Sequence, residues 1–90
     1  MRYENKIRIH KNCVKFLKKL NHKTKKKVKD VISSLIGFPL ISLDVVKLKG
    51  YTNVFRVRVG KIRILFEYDE TKKLIFIRKI GFRKKIYEKV

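Results

Sequence analysis

Residues 53–68 read NVFRVRVGKIRILFEY. The period is two on both sides of Gly60-Lys61, as in a pair of half-buried strands. A glycine at the first position of a two-residue turn suits the type II′ geometry that joins antiparallel strands. The pairing then follows by arithmetic. Val59 faces Ile62, Val57 faces Ile64 and Phe55 faces Phe66. These side chains are all apolar and share one face, which predicts a core face. On the other face Arg58 falls opposite Arg63, Arg56 opposite Leu65 and Val54 opposite Glu67. Like charges directly opposite one another destabilise a sheet. The Arg58–Arg63 rung therefore asks for an anion, and a break with local rules tends to mark a functional site. Arginine adds to the point in a chain that otherwise favours lysine. A guanidinium keeps its charge and offers phosphate two parallel N–H donors.

Working outward from the hairpin, residues 69–72 (DETK) read as a turn and residues 73–80 (KLIFIRKI) as a further strand. That strand is apolar on both faces, through Leu74 and Phe76 on one and Ile75 and Ile77 on the other, which places it inside a sheet. Gly81 ends it, and FRKKIYEKV forms a short tail. In the other direction, residues 40–52 (LISLDVVKLKGYT) read as a connection into the sheet. Two short helices precede it. Cys13, Phe16, Leu17 and Leu20 repeat at i, i+3, i+4, i+7, and so do Val28, Val31, Ile32 and Leu35. Asn12 is placed to cap the first helix, residues 21–23 break the pattern, and Gly37 and Pro39 close the second helix. Lys6 to His10 alternates as a first strand. The order is β-α-α-β-β-β with a tail: an α+β domain spanning 1–90, with a helical hairpin on one face of a small, mainly antiparallel sheet.

Composition narrows the function. The 90 residues carry 26 Lys+Arg against 7 Asp+Glu, a formal net charge of +19. Such self-repulsion destabilises an isolated fold and suits a protein that works on a polyanion, nucleic acid foremost. Hydrophobic residues make up 44% of the chain, enough for a folded domain. A domain this small buries only roughly 60–65% of its unfolded surface, which leaves no room for a cavity that engulfs a large cofactor. One cysteine, Cys13, fits a reducing cytoplasm. The N-terminus lacks the apolar core of a signal peptide, and no apolar run reaches transmembrane length, so a membrane role is not expected.

KLKGY (47–51) and then FRVRVGKIRILFEYDETKKLIFIRKIGFRKKIY (55–87) resemble the RelE toxins of bacterial and archaeal toxin–antitoxin systems. The resemblance covers residues 47–87, and the helical hairpin matches in pattern. It implies the same β-α-α-β-β-β order. It implies a ribosome-dependent endoribonuclease that cleaves messenger RNA in the ribosomal A site, without metal or other cofactor, by attack of the 2′-hydroxyl on the adjacent phosphate. It further implies contacts with messenger and ribosomal RNA and a hetero-oligomer with an acidic, RelB-like antitoxin. By the same resemblance Arg56, Arg58, Arg63 and Arg83 match the family's basic site residues, and Tyr87 matches a tyrosine that stacks on a base. Where well-studied members carry lysines, this chain has Arg56 and Arg58. A lysine among cations can lose its proton, whereas an arginine cannot. The general base is thus open between Glu67, on the same face, and Tyr87.

Other chemistry has little support in the sequence. His10 and His22 lie at element ends, apart from the arginines, and read as ordinary surface histidines. The seven acids are scattered, so no metal site is assigned. Cys13 has the spacing of a core residue. The run KTKKKVK (23–29) is a solvated helix face that can also hold RNA backbone through counterion release. Two rival functions share these features: a ParE-like inhibitor of DNA gyrase, and a basic RNA-binding domain without activity. The set Arg56, Arg58, Arg63, Arg83 and Tyr87 fits the ribonuclease branch better than the gyrase inhibitor, while charge alone fits the RNA-binding domain equally well.

Overall fold

In the computed structural model, which describes residues 4–41 and 43–82, the hairpin takes the expected register. Strands β3 (Val54–Val59) and β4 (Ile62–Asp69) pair antiparallel, with Val57 opposite Ile64 and Arg58 opposite Arg63. Gly60 has φ +60 while Lys61 stays in the ordinary region, as a type II′ turn requires. Around this hairpin lie β1 (Lys6–Ile9), α1 (Lys11–Lys18), α2 (His22–Ser34), a 3-10 turn at Leu35–Gly37, β2 (Val45–Lys47) and β5 (Leu74–Phe82). The sheet order is β1-β5-β4-β3-β2. Only β1–β5 is parallel, so the sheet is mixed and mostly antiparallel.

The core lies between the helices and one sheet face. Val57, Ile64, Phe66, Ile75 and Ile77 are fully buried there, against Cys13 and Leu17 of α1 and Val28 and Ile32 of α2. Phe38 meets Phe55, Phe66 and Tyr68 edge-on, with ring centroids 5.0–5.3 Å apart. Asn5 ties β1 to the end of the helical layer. It is buried, and its Nδ2 donates to the carbonyls of Leu35 at 3.2 Å and Phe38 at 2.8 Å. Those carbonyls belong to a helix end and its continuation, where intrahelical donors run out.

The structure departs from the sequence reading in three places. The connection after Pro39 contains a strand, β2, which pairs with β3 along Val45–Lys47. Its three residues are too few to show a period, and the strand exists because β3 offers an edge to pair with. Asn12 does not cap α1. His10 does, its Nδ1 accepting from the Asn12 backbone N–H at 3.0 Å. An aspartate-like side-chain acceptor at the N-cap is one solution to the orphan donors, and an imidazole nitrogen is another. The second helix is capped by Asn21, whose Oδ1 accepts from Thr24 N–H at 2.9 Å.

Third, β5 carries a bulge. Leu65 pairs with Lys79 but Phe66 pairs with Ile77, so Arg78 is the extra residue. Strict alternation from Ile75 and Ile77 would send Lys79 into the core and Ile80 out. The bulge resets the phase, so that Ile77 and Ile80 are both buried while Arg78 and Lys79 stay half-exposed. Gly81 does not end the strand either. It pairs with Arg63, and β5 runs on to Phe82 because β4 still offers it a partner there in Ile62.

Candidate functional site on the open sheet face

The helices cover one face of the sheet, and among the described residues no element covers the arginine face. Register fixes its rows. One row runs Arg58, Arg63, Gly81, and the next Val46, Arg56, Leu65, Lys79. A third runs Val54, Glu67, Phe76, Arg8. Three guanidiniums thus project from two adjacent rows. Arg58 is exposed, and Arg56 and Arg63 are half-buried. Leu65 is fully buried between Arg56 and Lys79 in register, and long cationic stems suit such an apolar neighbour.

Each guanidinium is held differently. Arg63 Nη1 donates to the Gly60 carbonyl at 3.1 Å, so the turn itself fixes its head. Arg56 Nε is buried and makes no hydrogen bond among the described residues. Arg58 donates from Nε at 2.9 Å and from Nη2 at 2.6 Å to Oδ2 of Asp44. The β2–β3 register explains the meeting. Val45 faces Val57, and one residue further back Asp44 comes opposite Arg58. The anion that the Arg58–Arg63 rung calls for is therefore supplied by the chain. The Arg58 hydrogen bond and charge hold the Asp44 carboxyl below the usual carboxylate range, with smaller pulls from Arg56 and Arg63.

Glu67 lies on the same face and pairs with Arg78, Oε1 to Nη1 at 3.0 Å, with both side chains about one-third exposed. It stands one row beyond Arg56 and Leu65, in a carboxylate–guanidinium pair. With Arg8, Asn53, Asp69, Leu74 and Phe76 it lines an open concavity of about 290 Å³. The open face is thus cationic toward the Gly60 turn and mixed toward the other end.

The structure brings Arg56, Arg58 and Arg63 together. Arg83 and Tyr87 lie outside the described residues. His10 caps α1 and His22 begins α2, as element-end residues. Cys13 is buried, which pushes its thiol up to about 11. Phe82 is half-exposed and meets Phe16 edge-on at 5.6 Å. Lys23, Lys26, Lys27 and Lys29 are exposed along α2, on the layer opposite the arginines. Among the described residues no three His, Cys, Asp or Glu side chains converge as a metal-binding group, and no helix is long and apolar enough to cross a membrane.

Sequence reasoning missed Asp44 and the pair Arg78–Lys79. Asp44 joins the site only through β2, which has no periodic signal. Arg78 and Lys79 were legible in principle. An apolar spacing of three, from Ile77 to Ile80 inside a strand of period two, is the mark of a bulge.

No family model matches the chain. Among curated proteins it is 37% identical over 84 residues to a Methanocaldococcus jannaschii protein named toxin RelE1, covering 91% of this chain and 93% of the relative. It is 34% identical over 86 residues to toxin RelE3 of the same organism, covering 92% and 96%. Among solved structures it superposes on the archaeal RelE–RelB complex of Pyrococcus horikoshii with a TM-score of 0.79 and 27% identity, over 91% of this chain and 98% of that one.

Proposed function

Because the chain belongs to the RelE toxin family, we propose that it is a ribosome-dependent endoribonuclease that cleaves messenger RNA in the ribosomal A site. The observation that carries this reading is the cluster of Arg56, Arg58 and Arg63 on two adjacent rows of an open sheet face. A single-stranded RNA backbone laid along this face meets guanidiniums at the spacing of the rows.

The chemistry suits such a cluster. The 2′-oxygen of one nucleotide attacks the adjacent phosphorus, and the bond to the 5′-oxygen of the next nucleotide breaks. One proton leaves the 2′-hydroxyl and one arrives at the departing 5′-oxygen. The products are a 2′,3′-cyclic phosphate and a 5′-hydroxyl. Negative charge grows on the phosphorane oxygens, and donors already aimed there stabilise the transition state by roughly 3–4 kcal/mol each. Arg63 is held by a backbone carbonyl, that of Gly60, and not by a carboxylate that a phosphate would have to displace. Arg83 and Tyr87 complete the proposed set, the first as a further cation and the second as a base-stacking group. Glu67 is engaged by Arg78, so a role as general base requires that pair to open. Alignment of the 2′-oxygen with the scissile bond is worth several kcal/mol and is the part that a ribosome-held message supplies.

The partner that silences such a toxin is an acidic antitoxin of the RelB kind. A net charge of +19 favours an acidic chain that wraps this surface and is disordered alone. The similar Pyrococcus protein is found in complex with RelB.

The test is an in vitro translation reaction with purified protein and mapped message ends. Breaks within A-site codons, lost on Arg63→Ala, support the assignment. An intact message overturns it, and trapped gyrase–DNA breaks in the same extract would point to the ParE-like alternative.

A further inference from the structure

Resting on the reading of the arginine face as a phosphate site, we propose that Asp44 is a built-in competitor: it occupies Arg58 in the free protein, and an RNA phosphate must displace it to bind. Three observations converge on this. The Asp44 carboxylate accepts hydrogen bonds from both Nε and Nη2 of Arg58, the edge of the guanidinium that a phosphate uses. It stands at the end of the row that holds Arg58 and Arg63, where two cations lie directly opposite each other. Both side chains are about half-exposed, so the exchange takes place in contact with solvent.

The geometry also says which ligand wins. Asp44 engages Arg58 through one oxygen, Oδ2. A phosphate presents two oxygens to the same edge and forms the fork that one oxygen cannot. An exposed ion pair is weak, so a phosphate that is held in place by other contacts removes it easily. A loosely held phosphate gains much less. In a chain of net charge +19, most polyanions bind somewhere. Asp44 lowers the affinity of the central arginines for all of them, and only a strand positioned on the whole face recovers the difference. The residue thus acts as a selectivity element, through Arg58, and does not touch the reacting atoms.

The experiment measures binding without cleavage. A fluorescent single-stranded RNA, 2′-O-methylated at every position, is titrated by anisotropy into the wild type, D44N, R58A and the double variant D44N/R58A, from low to physiological salt. Circular dichroism melts check that each is folded. D44N is expected to bind roughly fivefold more tightly, the effect of one nearby charge in water. Its plot of log affinity against log salt should steepen by about 0.7, because the wild type trades one ion pair for another at Arg58 and so releases one counterion fewer. In the R58A background the same substitution should have a clearly smaller effect on both, left over from the weaker pulls of Asp44 on Arg56 and Arg63. Equal affinity and slope for D44N and wild type, with R58A weakened, overturn the Asp44 proposal and leave the phosphate site standing. Tightening of the same size in the R58A background overturns it as well, since the carboxylate would then act only as a general charge. Binding unaffected by R58A removes the phosphate-site reading and the proposal with it.

Discussion

The two faces of the β3–β4 hairpin share one set of backbone hydrogen bonds and obey opposite rules. On one face Phe55, Val57, Val59, Ile62, Ile64 and Phe66 make a continuous apolar surface that packs on the helices. On the other, Arg56, Arg58 and Arg63 crowd cations into two rows. The first face lowers the free energy of the fold through burial, which is short-ranged and is not screened by salt. The second raises it through repulsion, offset in part by Asp44 and by the Gly60 carbonyl. A small domain can carry such an unfavourable face only because the opposite face is so uniform.

Substitutions on the two faces should therefore separate stability from activity. The largest effect falls on the core face. Phe66→Ala, at a fully buried ring packed on Phe38 and Phe55, should lower unfolding free energy by about 3–5 kcal/mol in urea melts. Arg63→Ala should do the reverse. A-site cleavage should fall about 10²–10³-fold, as for loss of one oriented donor, with a urea midpoint close to wild type. If Arg63→Ala unfolds the protein as Phe66→Ala does, the two faces are not separable and the functional reading of the arginines loses its basis.

Titration gives the next contrast. On the core side, burial pushes the Cys13 thiol from 9.0 to about 11. A raised thiol pKa leaves stability unchanged below pH 9, where folded and unfolded thiols are both neutral. Above it the unfolded chain ionises first, so stability should drop by up to about 3 kcal/mol between pH 9 and 11. Cys13→Ser should flatten that part of the pH profile. The smallest effect concerns the turn that joins the faces. Gly60 has φ +60, and nothing lies within 4 Å of the place a Cβ would take, so Gly60→Ala costs backbone strain without a clash, about 1 kcal/mol in melts. A cost near zero would mean that the turn relaxes, and cleavage should then fall with the register of Arg58 and Arg63.

Much of this was legible along the chain. The hairpin register, the core face, the helix faces and the interior position of β5 all follow from period and turn chemistry, which are local. Asp44 and β2 were not legible, because three residues hold no period and their pairing is decided by the neighbouring strand. The bulge at Arg78 sat between the two cases, visible as a spacing that needs a sheet before it means anything.

The meeting of two strands at Gly60-Lys61, with one apolar and one cationic face, is written locally in the chain. Side-chain alternation and the conformational freedom of glycine act over a few residues and need no distant partner. How the crowded charge is resolved depends on long-range pairing. Pairing β2 against β3 carries Asp44 to Arg58, fourteen residues away, and the bulge in β5 turns Arg78 toward Glu67. Charges interact through space, so the partner of a cation is set by the sheet that brings it there.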